Sequence, residues 1–104
     1  MSTIQARNIN HPDHQENLKE EKYTLIREAI LASLPDNSSV TGMPFAQLEE
    51  KVRVHLEKNG VPMDLFPKPG SVRWYTKTVQ LDLEARELIE RVPRQTPLRL
   101  RKLT

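Results

Sequence analysis

Four hydrogen-bonding residues recur on one side of a predicted helix near the end of the chain. They include an arginine and a glutamine, which can form paired hydrogen bonds to guanine and adenine in a DNA major groove. We therefore expect Arg73 and Gln80 to read bases, with Thr76 and Lys77 contacting bases or phosphates. The alternative is that these side chains form the solvated face of a core helix, because every amphipathic helix has one.

A cationic stretch follows that helix. Residues 1–70 carry eight Lys and Arg against ten Asp and Glu, whereas residues 71–104 carry eight against four, so the net charge of +2 comes from the final third. Cations from Arg91 to Lys102 have no acidic residue among them, and such a patch attracts phosphate backbones. A solvated hairpin is the other interpretation. The residues expected to contact DNA are Arg73, Thr76, Lys77, Gln80, Arg94, Arg99, Arg101 and Lys102.

A helix beginning near Ser71, which has the side chain of an N-cap, must position the first four of these residues. At 100° per residue it carries two apolar stripes, so we expect burial on two sides. One stripe contains Trp74, Thr78, Leu81, Ala85 and Leu88, and the other contains Val72, Val79 and Leu83. The outward arc would then hold Arg73, Thr76, Lys77, Gln80, Glu84 and Glu87. Its cationic start and acidic end suit a helix whose first turns approach DNA.

Two helices and a loop come before it. Residues 19–34 have a single apolar stripe of Tyr23, Ile26, Ile30 and Leu34, which predicts a core helix. Residues 44–58 predict a second helix, with inward positions at Phe45, Leu48, Val52 and either Leu56 or His55. Residues 40–43 are expected to form an edge strand. Three prolines in residues 61–70 exclude a regular helix, so we expect an ordered loop there.

The chain ends in a predicted hairpin. Residues 89–92 and 98–103 alternate between apolar and polar types on either side of a Pro-Arg-Gln-Thr-Pro turn. This pattern places leucines inward and cations outward on a two-stranded wing, with Arg94 at its tip.

Residues 1–18 lack sustained periodicity and predict a flexible N-terminal arm, which leaves residues 19–104 as one domain. His11 and His14 could present two imidazoles to a metal from one helical face. Pro12 lies between them and disfavours a helix, and no third ligand is nearby. We therefore expect solvent-exposed histidines and no metal.

Several function classes have no support in the composition. The chain has no cysteine, no Gly-rich phosphate loop and no nucleophile beside a base, and its early residues are polar. Asp82 and Glu84 diverge on a helix because they are two residues apart. We expect a soluble cytoplasmic protein without a membrane segment, a cofactor or an enzymatic activity.

Most of the chain resembles a family of small uncharacterised bacterial proteins, a domain of unknown function. The resemblance is carried by residues 74–85, 88–91 and 97–100, and more weakly by Lys22-Tyr23, Leu34-Pro35 and Phe66-Pro67. The helix ending and following hairpin also look like many bacterial winged-helix regulators, although Glu87 replaces the usual glycine before the strand. The resemblance implies a winged helix and supplies no activity.

Together these observations predict an α+β, mostly helical fold, a three-helix winged helix with a small C-terminal β-hairpin wing. The expected function is a DNA-binding or transcription-regulating module, and the expected partners are double-stranded DNA and a second copy of the chain in a homodimer. The alternative is a winged helix used for protein–protein interaction or homodimerisation without DNA binding.

Overall fold

Three helices surround the core in a computed structural model that describes residues 3–11 and 13–103. They are α1 (Glu20–Ser33), α2 (Phe45–Lys58) and α3 (Ser71–Ala85). Most of the apolar residues predicted to face inward on the first two helices are buried, namely Tyr23, Ile26 and Ile30 of α1 and Leu48, Val52 and Leu56 of α2. Phe45 of α2 is only partly buried. Met1, Ser2, Pro12 and Thr104 lie outside the described residues, and so do the predictions made for these four residues.

A small antiparallel sheet closes the C-terminal side of the core. It contains β3 (Met43–Pro44), β4 (Ile89–Arg91) and β5 (Arg99–Lys102), with β5 in the centre. Met43 pairs with Leu100 and Arg91 pairs with the same residue from the other side. Leu100 is buried, so its strand contributes to the core as the alternating pattern predicted. The predicted hairpin and the short strand before α2 are therefore present.

The N-terminal segment differs from the flexible arm predicted by its composition. Strands β1 (Thr3–Arg7) and β2 (Gln15–Lys19) form an antiparallel hairpin that contacts α1 and α3. Ala6 and Leu18 are buried in the same core as the helices. Each strand contributes only one fully buried side chain, and so short an alternation gives a weak sequence signal.

The connection between α2 and α3 is an ordered loop, as its prolines indicated. It contains a short 3-10 helix over Met63–Leu65, after which Phe66 is buried against Tyr75 with ring centroids 5.4 Å apart. Gly60 has a φ of 68° after α2, and Gly70 has a φ of 79° before α3. Gly70 is the N-cap residue and Ser71 begins the helix, so the predicted cap lies one residue too late.

Over residues 3–11 and 13–103 the chain is thus a small α+β protein with three α-helices and two antiparallel sheets. Among the described residues, no helix combines the length and apolar character needed to cross a membrane.

Candidate interaction surface of the third helix

The core-facing side of α3 carries a polar residue that was expected to face outward. Val72, Val79 and Leu83 are buried, as one of the two apolar stripes predicted. Thr76 lies between them at helical spacing and is 0% exposed, with its hydroxyl donating to the Val72 carbonyl at 2.7 Å. Because Thr76 is buried and its hydroxyl is already bonded within the helix, it is not accessible to DNA.

Gln80 is also buried, although it was expected to lie on the outward arc of the helix. Its side chain is 0% exposed, and Nε2 donates to Glu84 Oε2 at 2.7 Å. Glu84 in turn accepts from Arg91 Nε at 2.5 Å, and Arg91 also reaches Asn10 Oδ1 at 3.3 Å. Strand β4 and the N-terminal hairpin therefore contribute residues to this network. Gln80 Oε1 has no hydrogen-bond partner among the residues that the structure describes.

The apolar stripe expected to be the second buried side of α3 instead faces outward. Trp74 is 48% exposed and Leu88 is 42% exposed, whereas the three residues between them are partly buried. The four residues of this stripe on α3 are spaced by four, three and four, as in the contact seam of a coiled coil, and Leu88 follows just after the helix ends. We call these residues the outer seam: Trp74, Thr78, Leu81, Ala85 and Leu88. None of them is charged, although the exposed Arg73 lies beside them on α3.

Two cations flank the outer seam on the side of the wing. Arg73 is exposed, with its Nε 3.7 Å from Glu49 Oε1. Lys77 is half-buried, with Nζ 5.1 Å from the centroid of the Phe45 ring. Its pKa is lowered by burial and secondarily by the nearby Arg91 guanidinium, against the attraction of Glu84. Both cations line a cleft of about 320 Å³ with Pro44, Phe45, Ala46, Pro97 and Leu98, which we call the helix–wing cleft.

Only some of the cations predicted on the wing are free of contacts, within the described part of the protein, that would compete with DNA. Arg94 is exposed in the turn, where its φ is 63°. Arg99 donates to the Gly42 carbonyl at 3.3 Å, and Lys102 is half-buried. Arg101 donates to Glu90 at 2.6 Å and to the Ser39 carbonyl at 2.7 Å, so its guanidinium holds neighbouring segments together.

A buried carboxylate on α3, which the sequence did not identify, joins the N-terminal hairpin to the helices. Asp82 is fully buried and accepts hydrogen bonds from the Tyr23 hydroxyl, the Arg7 backbone N–H at 2.7 Å and Arg86 Nε at 2.9 Å. Burial, and then the hydrogen bond to Asp82, raise the pKa of Tyr23 to about 12. An aspartate between Leu81 and Leu83 was the available signal, since a carboxylate at a buried position requires donors.

The first turn of α3 borders a second cavity, of about 540 Å³, which we call the Trp74 pocket. The residues that line it include Pro67, Pro69, Trp74 and Tyr75, together with Lys22 and Lys68. Lys22 Nζ is 5.4 Å from the Tyr75 ring centroid, a cation–π distance. The Trp74 pocket therefore combines an apolar interior with positive charge.

The opposite end of α3 exposes an acidic residue in an unusual backbone conformation. The Leu88 N–H donates to the Leu83 carbonyl at 3.0 Å and the Glu87 N–H donates to the Glu84 carbonyl at 3.1 Å, which is a Schellman ending. Glu87 occupies its left-handed position with a φ of 61°, where glycine is usual. The side chain of Glu87 is exposed beside Leu88.

In the part of the chain that the structure describes, no group of three or more His, Asp or Glu side chains could hold a metal ion. His14 Nε2 lies 2.9 Å from Glu16 Oε1 at an exposed position of the N-terminal hairpin.

Comparison with known proteins assigns a family and no activity. The family of unknown function DUF6958 matches residues 3–100, which include all three helices and both hairpins up to Leu100. No curated protein and no solved structure matches the chain.

Proposed function

We propose that this chain, which belongs to the family of unknown function DUF6958, is a protein-contact module that docks through the outer seam of α3. We propose that the fold is a winged helix and that it serves for protein contact. The order helix, short strand, two helices and hairpin supports that fold, as does the position of β5 between β3 and β4. The proposal includes no catalytic step and no cofactor.

The apolar character of the outer seam carries this proposal. A helix that reads a major groove presents hydrogen-bond donors and acceptors to base edges. The outward side of α3 presents the Trp74 indole instead, and Leu88 is exposed just after the helix, whereas Thr76 and Gln80 are buried. Exposed apolar surface on a soluble domain commonly marks a contact with another protein.

Site-specific photo-crosslinking tests the proposal. A photoreactive amino acid at Thr78 in the middle of the outer seam should form protein crosslinks in cells that express the full chain. The same substitution at Val54 is the matched control, because Val54 is exposed on α2, away from the seam. Equal crosslinking at both positions, or no protein crosslink at Thr78, would overturn the proposal.

Binding to the backbone of duplex DNA is the second candidate, and the helix–wing cleft favours it. Arg73 and Lys77 of α3 line that cleft with residues of the wing turn, and the exposed Arg94 belongs to the same turn. Such cations would contact phosphates, and without Thr76 and Gln80 the contacts would carry little sequence information.

Fluorescence anisotropy with labelled duplex DNA at about 50 mM salt distinguishes this candidate, because phosphate contacts weaken as salt rises. Alanine at Arg73 or Arg94 should weaken binding, whereas alanine at Lys51 should not, since this exposed α2 cation does not line the cleft. Absence of binding at micromolar protein would eliminate DNA as the ligand.

A further inference from the structure

We infer that the partner of the outer seam is a second copy of this chain, paired antiparallel about a two-fold axis near Leu81. The inference rests on the proposed function and specifies its partner. A two-fold contact requires a self-complementary surface. If one residue of the first copy contacts another residue of the second copy, the same two residues also contact each other with the copies exchanged. The outer seam suits such a contact, because Trp74 in the first turn of α3 and Leu88 just after its last turn are exposed on either side of Leu81.

The residues between these large side chains permit close helix packing. Thr78 and Ala85 are small and lie on either side of Leu81 in the seam. Packed helices approach to about 8–10 Å when small side chains occupy the contact. An antiparallel pair would therefore place Leu81 against its counterpart and bring each Trp74 to the Leu88 end of the other chain.

The Trp74 pocket is a receptor for that end. It opens beside Trp74, and Pro67 and Tyr75 supply apolar walls. Leu88 of the second copy, already 42% exposed in the monomer, has the chemistry to enter it. Two equivalent insertions would form, one at each end of the interface.

The charges also favour the antiparallel arrangement. Lys22 and Lys68 are among the residues that line the Trp74 pocket, and Glu87 is exposed beside Leu88. No salt bridge involves any of these three residues within residues 3–11 and 13–103. Antiparallel pairing brings Glu87 to the lysines of the second copy, whereas parallel pairing would place two Glu87 carboxylates together. Arg86, the cation nearest to Glu87 in sequence, is held by Asp82.

The backbone at Glu87 supports a use for its carboxylate. Its φ of 61° is a conformation that glycine adopts without steric cost and that glutamate rarely adopts. Unfavourable backbone conformations that persist are found disproportionately at functional positions. An intermolecular pair with Lys68 gives a reason for glutamate at this position.

Sedimentation equilibrium of the purified full chain, with charge reversals, tests the inference. A five-residue seam is small compared with a standard interface, so we expect a dimer with a dissociation constant on the order of micromolar. E87K and K68E should each weaken dimerisation by about tenfold or more, and the double variant should recover most of the loss. E28K and K51E are matched controls at exposed positions outside the interface and should leave the constant unchanged.

A monomer at all concentrations up to about 500 µM would overturn the inference. So would a dimer whose dissociation constant is unchanged by both charge reversals, or is not restored in the double variant. Circular dichroism of each variant verifies folding, and W74A should weaken the dimer independently of charge. If Thr78 crosslinks to another protein while the purified chain stays monomeric, the self-association inference fails and the proposed function stands. If Thr78 gives no protein crosslink and no dimer forms, both fail.

Discussion

At the scale of single residues, Asp82 connects α3 to the N-terminal hairpin and to α1. Its buried carboxylate accepts from α1 through Tyr23, from the N-terminal hairpin through the Arg7 backbone, and from Arg86 of the α3 ending. A buried charge is tolerated only when hydrogen bonds and an opposite charge replace its hydration. The network therefore links three segments that are distant in sequence.

This network predicts a loss of stability in alkali. The pKa of Tyr23 rises from 10.0 to about 12 in the folded protein, so the folded state holds the phenolic proton more tightly than the unfolded chain. The resulting stabilisation, about 2 kcal/mol, is present below pH 10 and is lost as the pH rises toward 12. Urea unfolding across this range measures it.

The Tyr23→Phe variant is the control for that measurement, because it has no phenolic proton to lose. Its stability should be lower at neutral pH and should fall less between pH 10 and 12. Parallel pH profiles of the two proteins would contradict the role assigned to Tyr23.

The positive φ of Glu87 leads to a second prediction for a single residue. Glu87→Gly should raise the free energy of unfolding by about 1 kcal/mol, because glycine adopts a positive φ without steric cost. Glu87→Ala should have little effect on stability, since alanine retains the unfavourable backbone position. Thermal unfolding at low protein concentration separates this gain from self-association, which both variants should weaken. Equal stability of the two variants would contradict the backbone explanation.

At the scale of elements, the joint between β3 and the wing depends on close backbone packing. Gly42 precedes β3 with a φ of 68°, and a Cβ atom there would lie 2.6 Å from Val92 Cγ2 and 2.7 Å from the Leu100 carbonyl oxygen. Glycine is therefore required both by the conformation and by the space. This contact holds the short strand against β5, next to the helix–wing cleft.

Replacing Gly42 with alanine should destabilise the protein by roughly 2–4 kcal/mol, which combines backbone strain with steric overlap. Gly60→Ala is a matched control, because Gly60 has the same φ of 68° but no atom within 4 Å of the new Cβ. It should cost only about 1–2 kcal/mol. Urea unfolding of both variants measures the difference, and equal losses would show that space at Gly42 is unimportant.

At the scale of the whole molecule, the N-terminal hairpin and the helices share one core. Ala6 and Leu18 are buried with residues of all three helices, so the boundary predicted near residue 18 falls inside this core. The hairpin also supplies Asn10, which reaches Arg91 in the network that encloses Gln80. The segment therefore influences which face of α3 is accessible.

Leu18→Ala should lower the free energy of unfolding by about 2–4 kcal/mol, the usual cost of a cavity at a buried leucine. Asn17→Ala on the exposed side of the same strand is the control and should change it by less than about 0.5 kcal/mol. Chemical denaturation followed by circular dichroism measures both. A negligible effect at Leu18 would be the behaviour of a flexible arm.

The sequence alone determined the helices, the C-terminal hairpin and the proline loop, because local periodicity and turn residues encode them. In α1 and α2 a single apolar stripe also identified the buried side. The orientation of α3 was decided only by the tertiary structure, because this helix has two apolar stripes and only one of them faces the core. In the folded protein Thr76 and Gln80 are buried and form hydrogen bonds, whereas Trp74 and Leu88 are exposed. Periodicity specifies which side chains share a face, but the neighbouring elements determine which face meets solvent.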